Sequence, residues 1–342
     1  MSTPQPHRGK PVTPRRHRRS NPLPHQGEGG LFHQTWYPIC LSRDVRAGQV
    51  IGRDFLDGRV AVYRTSEGTV RVVSAYCPHL GADLAVGTVV GENLRCAFHH
   101  WEYDTTGVCV KTGIGDPAPR AACLFRFPTV EKFGFVWVFN GEAPLWELPD
   151  FERPAADLVM RSLRVPHVYQ CDGWVFTCNT PDIQHIKVVH GITFAHEDPH
   201  EMVAWREDGF DYRIRADHQG GVRIDWQIGI RGTSLFRQQG MYDDWWLGGL
   251  TGHSCPRPGQ HEVFLCLAVE RGDGSPEALS EAERRLDIAQ DLLERTVDED
   301  RDILDTIHYR PGTLTKGDRT LARYFDYLRA YPRAHPSAEF IR

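Results

Sequence analysis

The sequence predicts an α+β chain in two regions, an all-β first region and a second region of longer strands closed by one long helix. Three observations predict it. Short apolar runs separated by Gly and Asp turns begin at Trp36. Val222, Ile224, Trp226, Ile228 and Ile230 alternate as in a half-buried strand. Leu286, Ala289, Leu293, Val297, Leu304 and Ile307 recur at helical spacing.

The chain of 342 residues, 40% hydrophobic and 11% aromatic, is long enough for two cores. Residues 1–34 read as a disordered tail, because Arg8, Lys10, Arg15, Arg16, Arg18 and Arg19 stand among Pro, His and Ser with almost nothing apolar to bury. Arg15-Arg16 lacks the apolar stretch and cleavage site of an export signal. With a net charge of -5 and a positive tail, the folded body is acidic, and no nucleic-acid partner is expected. No run of about 18 apolar residues occurs, so no membrane span is expected. Nine cysteines, an odd number without a secretory signal, fit a reducing cytoplasm in which selected thiolates bind metal.

Trp36-Tyr37-Pro38-Ile39 opens the strands, and Gly58 to Tyr63 with Thr69 to Ser74 forms a hairpin across Ser66-Glu67-Gly68. The apolar run Phe133 to Phe139 ends in Asn140-Gly141, and with Pro144 and Pro149 this sets a boundary near 145. The two expected domains are therefore 35–145 and 146–342. In the second, a strand around Arg161 to Val168 leads to a helix starting near Asn179-Thr180-Pro181. Long strands follow between Met202 and Glu270, and Ser280 with Glu283 forms a capping box for the closing helix.

Two short segments carry metal chemistry. Cys77-Pro78-His79-Leu80-Gly81-Ala82 is followed by Cys96-Ala97-Phe98-His99-His100-Trp101. A [2Fe-2S] centre needs four ligands, and two neutral imidazoles in place of two thiolates on one iron raise its potential. Each loop here offers one sulfur and one nitrogen, through Cys77, His79, Cys96 and His99, and Gly81 lets the backbone turn around the core. Zinc also takes two Cys and two His, but its signature begins with Cys-x-x-Cys.

These loops resemble the Rieske domain of the ring-hydroxylating, non-haem iron oxygenases. Ala82 and Phe98 stand where Rieske proteins of cytochrome bc-type complexes carry a disulfide, which places the resemblance with the oxygenase and ferredoxin branch. The usual second loop reads Cys-Pro-Tyr-His-Gly-Trp, so Ala97 and His100 are departures; spacing from Cys96 favours His99 over His100.

Asp182, His185 and His190 form the second segment. On an ideal helix an offset of five turns through about 500°, leaving the rings about 140° apart, so the helix must loosen near His190 if both bind one metal. Two His with one carboxylate form the facial site of mononuclear Fe(II). The closing helix offers Asp298, Asp300, Asp302 and Asp305, and only Asp300 falls on the apolar stripe. A carboxylate there needs a metal or a buried ion pair, and Arg295 and Arg301 both point away along the same helix.

Asp182-x-x-His185-x-x-x-x-His190 and Glu299-Asp300-Arg301-Asp302-Ile303-Leu304 are also similar to the catalytic domain of the same oxygenases. The resemblance implies a helix-grip (START-like) fold, a curved antiparallel sheet around a long helix, with Asp300 as third iron ligand. It makes Asp182 the carboxylate that connects the cluster of one subunit to the iron of its neighbour in a homotrimer. Helix capping in the first turn is the alternative for Asp182. Pocket candidates are Trp226, Ile228, Phe236, Met241, Trp245, Trp246 and Phe264, each equally placed to be plain core.

The expected function is that of a terminal oxygenase that hydroxylates or oxidatively demethylates a small organic substrate with O2. No Gly-x-Gly-x-x-Gly dinucleotide fingerprint occurs, so electrons from NAD(P)H must come through a flavin reductase, with or without a ferredoxin. The alternatives are a Rieske electron carrier and an iron-containing small-molecule sensor.

Overall fold

A computed structural model describes residues 22–194, 199–217 and 221–342. The first region is built from small antiparallel sheets. β1 (Phe32–His33) pairs with a distant C-terminal strand, and β2 (Trp36–Leu41) joins a later hairpin. β3 (Val50–Phe55), β4 (Gly58–Arg64) and β5 (Val70–Ser74) form a three-stranded sheet. A second one contains β6 (Thr88–Val90), β7 (Asn93–Arg95), β8 (Glu102–Tyr103) and β9 (Cys109–Lys111). β10 (Thr129–Lys132) and β11 (Phe135–Phe139) then return to pair beside β2.

The second region is dominated by one antiparallel sheet. Its members are β12 (Leu158–Tyr169), β13 (Thr193–Phe194), β14 (Ala204–Arg206), β15 (Gly209–Asp217), β16 (Arg223–Arg231), β17 (Leu235–Tyr242), β18 (Trp245–Ser254) and β19 (His261–Glu270). The order is β12-β19-β18-β17-β16-β15-β13, with β14 on β15. Because side chains alternate across a sheet, Leu247, Leu265 and Leu267 enter the core beneath the helices, while Trp246, Leu250, Phe264 and Cys266 face the other way. That outer face packs on Trp36, Phe135, Trp137 and Phe139. The regions divided at residue 145 thus share a core.

The helix expected to start near Asn179 begins a few residues later as α2 (Ile183–Val188), and a further short helix, α1 (Gly173–Thr177), precedes it. The break spans residues 178–182 and is held by the Tyr212 hydroxyl, which donates to the Thr180 carbonyl at 2.6 Å. The long helix α3 (Pro276–Leu304) lies against β12 and β19, the grip expected from the resemblance. It starts earlier than the Ser280 capping box predicts, because Ser275 already caps it, accepting from Ala278 N at 3.2 Å with Pro276 in the first turn. Leu286, Ala289, Leu292, Val297, Asp300 and Leu304 are buried, whereas Leu293 is only partly so. Ile307, expected on the stripe, lies past the helix end and is exposed. α4 (Arg319–Ala330) buries Leu321, Tyr324, Phe325 and Leu328. No helix of the described residues is long and apolar enough to cross a membrane.

The tail expected over residues 1–34 is corrected in its second part; residues 1–21 lie outside the described residues. Leu23, Gln26, Phe32 and His33 are buried, and Gln26 N donates to Asp172 Oδ2 at 3.1 Å. β1 pairs with β20 (Arg333–Ala334), Phe32 opposite Ala334. The short α5 (Ala338–Ile341) then seats the fully buried Ile341 against Gly58 of β4, where even a Cβ would collide. The few apolar residues of the N-terminal segment find their partners about three hundred positions away, which local composition cannot show.

Candidate iron–sulfur and mononuclear metal centres

The two Cys-His loops are the turns that follow β5 and β7. Each closes on itself through its backbone: Cys77 N donates to Ala82 O at 2.9 Å, and Cys96 N to Trp101 O at 2.8 Å. Gly81 and His100 take positive φ, 76° and 57°, to make those turns. The thiols of Cys77 and Cys96 are buried, while His79 is exposed and His99 half-buried. The His79 and His99 rings have centroids 4.6 Å apart, and His79 stacks on Trp101 at 4.3 Å. Burial pushes the Cys77 thiol up, partly offset by the Tyr103 hydroxyl that donates to its sulfur at 3.0 Å. Two buried sulfurs beneath two more outward imidazoles fit a [2Fe-2S] cluster held with its thiolate side inward. All nine cysteines are free, so no disulfide braces the loops.

The second centre is assembled from three places. Asp182 caps α2, its Oδ1 accepting from His185 N at 3.0 Å, which is the capping alternative. α2 ends at Val188 and the chain turns through Gly191 at φ 64°, so His190 stands beyond the last helical turn. That ending removes the angular mismatch of an ideal helix. His185 Nε2 and His190 Nε2 lie 3.0 Å apart, and Asp300 Oδ1 and Oδ2 lie 3.5 and 3.7 Å from them respectively. The ligand atoms of all three residues lie within 4.8 Å of one another.

The donor set fits a metal ion. Asp300 is 4% exposed, and its Oδ1 has no hydrogen-bond partner, a costly state for a buried carboxylate without a cation. Arg301 pairs with Asp298 and Arg295 donates to its own helix at Asp291 O, so neither neutralises Asp300. Asp298 and Asp302 are exposed, and Asp305 binds His167 at 2.9 Å.

Two residues around this centre carry more than the sequence assigned them. Asn179 Nδ2 donates to Asp300 Oδ2 at 3.0 Å. His190 Nδ1 donates to Glu299 Oε2 at 2.8 Å, which leaves Nε2 as the free lone pair. Asn179 figured only as a helix start, and Glu299 only as the residue before Asp300 in the motif that carries the resemblance. No local signal marks either.

A cavity of about 140 Å³ opens beside the three residues. Of the seven pocket candidates, Trp226, Ile228 and Phe236 line it. Trp246 and Phe264 belong to the outer face against the first region, Met241 is 38% exposed, and Trp245 packs on Tyr242 under Arg285. Strand register decides which parity faces inward, and composition does not encode it.

Comparison with known proteins places these features. The Rieske [2Fe-2S] domain family matches residues 35–128. A cholesterol 7-desaturase of Bombyx mori is 38% identical over 123 residues, covering 35% of this chain and 27% of the relative. The oxygenase component of dicamba O-demethylase from Stenotrophomonas maltophilia is 31% identical over 164 residues, 47% of this chain and 48% of the relative. These matches thus span about a quarter to a half of the curated relatives. The structure of Pseudomonas putida CBB5 NdmA with caffeine aligns over 86% of this chain and 90% of its own, with a TM-score of 0.68 at 18% identity, a likeness of fold across both regions. Residues 35–128 thus belong to the Rieske [2Fe-2S] domain family, and the chain as a whole shares the two-region fold of NdmA.

Proposed function

We propose that the protein is the terminal oxygenase component of a Rieske system, using O2 to hydroxylate or oxidatively demethylate a small organic substrate. One observation carries the reading: His185, His190 and Asp300 converge at the wall of an apolar cavity in a chain that also holds the Rieske loops. When bound, a [2Fe-2S] cluster on Cys77, His79, Cys96 and His99 supplies single electrons, and Fe(II) on His185, His190 and Asp300 supplies O2 activation.

The chain's own residues do the rest. Burial of Cys77 and Cys96 protects the thiolate side, and exposed His79 presents the other side to a partner. Asp182, fixed by its bond to His185 N, would be the carboxylate that links this centre to a neighbour's cluster in a homotrimer. The apolar lining, Ile228 and Leu267 among it, excludes water and holds the substrate beside the metal ligands. Electrons originate in NAD(P)H and arrive through a flavin reductase, with or without a ferredoxin. The free thiols fit a cytoplasmic setting, and we place the boundary of the two domains near residue 145. The likeness to the oxygenase component of dicamba O-demethylase supports demethylation as one outcome for this cavity.

Iron and sulfide analysis of the purified protein tests the reading. Three irons and two inorganic sulfides per chain, with O2 uptake when a surrogate reductase is supplied, are expected. Two irons with full redox activity and no O2 uptake would identify an electron carrier instead.

A further inference from the structure

Two buried histidines that the metal centres do not use lie behind one wall of the cavity. On β18, Leu247 and Thr251 line the cavity, and His253 continues the same face two residues on. His253 is 1% exposed, and neither of its ring nitrogens has a partner in the protein. His261, at the start of β19, is fully buried; its Nδ1 donates to the Cys171 carbonyl at 2.8 Å, and its Nε2 has no partner. The two ring centroids are 5.3 Å apart.

A single aromatic ring screens this pair. Phe176 of α1 lines the cavity, and its centroid lies 4.7 Å from that of His253 and 6.1 Å from that of His261. α1 sits so close above them that a Cβ at Gly173 would be 3.2 Å from the His253 Cβ. Buried polar atoms in native proteins are nearly always satisfied, so the unpartnered nitrogens of these two rings, behind the Phe176 ring, point to a ligand atom that partners one nitrogen of each.

Charge decides what kind of ligand. Among the described residues that line the cavity there is no Lys or Arg. Of the ionisable ones, His185, His190 and Asp300 form the metal set, and Tyr212 is bonded to Thr180. Burial and the neighbouring His261 hold His253 neutral, well below the usual imidazole range. A carboxylate or phosphate would therefore be buried without a counter-charge, whereas a hydroxyl can both donate to and accept from neutral imidazoles.

We propose that the cavity takes an uncharged, mainly apolar molecule bearing a hydroxyl, and that this hydroxyl donates to His261 Nε2 and accepts from His253 once the Phe176 ring turns aside. The inference rests on the reading of this cavity as the oxygenase's substrate site. Anchoring the oxygen there fixes which part of the molecule is left facing His185 and Asp300.

Equilibrium dialysis at pH 7 with naphthalene, 2-naphthol and 2-naphthoate, on cluster-loaded protein without added iron, tests it. 2-Naphthol is expected to bind about tenfold more tightly than either of the others, the ratio that one buried hydrogen bond supplies. His253→Leu should abolish the preference for 2-naphthol over naphthalene while the visible spectrum of the cluster stays unchanged. Phe176→Ala, which leaves both histidines in place, should strengthen that preference and serves if the first variant does not fold. Equal or tighter binding of 2-naphthoate, an unaltered preference in either variant, or no binding of any probe overturns the proposal. Iron content and O2 uptake test the oxygenase reading separately, so failure of one is distinguishable from failure of the other.

Discussion

Glu299 accepts a 2.8 Å hydrogen bond from Nδ1 of His190, one position before Asp300 on the same helix. Adjacent residues of α3 thus address the same centre, one carboxylate toward the candidate metal position and one toward the far side of a candidate ligand. A carboxylate in that place fixes the tautomer and ring orientation of a metal-binding histidine. Glu299→Ala should lower the affinity of the second site for Co(II), used as a probe ion, by about 10–100-fold. Glu299→Gln, which keeps an acceptor oxygen, should lose less. An unchanged dissociation constant in the alanine variant would show the bond to be incidental.

Asp300 presents an unpaired buried oxygen to His185. A cation that binds only the folded chain stabilises it by mass action, so Co(II) should raise the unfolding midpoint of the native protein. Asp300→Ala should remove that response and one iron per chain while leaving the cluster spectrum intact. Because the variant also deletes a buried charge with no counter-ion, its metal-free form should be no less stable than the metal-free native protein. Loss of the cluster together with the second iron would refute the assignment.

Asp182 has a structural duty, the cap on His185 N, that must be separated from its proposed electron-transfer duty. Asparagine caps helices about as well as aspartate. Asp182→Asn should therefore fold normally and hold both metal centres, yet lose turnover with a reductase supplied. Asp182→Ala should in addition cost about 1 kcal/mol of stability. Normal turnover in the asparagine variant would reduce Asp182 to a cap.

Burial pushes His33 down to about 3 and His261 down to about 4. Between those values and about 6.5 the unfolded chain binds protons that the folded chain does not, so stability is full above about pH 6.5 and falls as the pH drops. Each histidine contributes up to about 1.4 kcal/mol per pH unit in that window. The urea midpoint, followed by tryptophan fluorescence, should fall between pH 7 and pH 5.5, and His261→Phe should flatten the change. A midpoint independent of pH over this interval would contradict the burial of these rings as neutral species.

The cluster loops were legible because everything they need is local. Ligand type, spacing and the turn glycine all sit within Cys77 to Ala82 and Cys96 to Trp101. Asp300 was legible for another reason: helical periodicity projects a single carboxylate onto an apolar stripe, and burial of Asp300 between Val297 and Leu304 follows that projection. The same periodicity sends Glu299 to the polar side, and its role exists only because His190 arrives there from the end of α2.

The sequence by itself determined the fold class, the two candidate ligand sets and the separation of a small-sheet region from a large-sheet region, since these depend on residue type at short spacing. Tertiary structure alone decided the rest. Strand register turned Trp246 and Phe264 away from the cavity and His253 toward Phe176 at its wall, because a shift of one residue exchanges the two faces of a strand. The end of α2 at Val188 and the turn at Gly191 placed His185 and His190 3.0 Å apart, which a continuous helix would not allow. The pairing of Phe32 with Ala334 turned part of an expected tail into core, because its burial partners are remote in sequence and only folding brings them together.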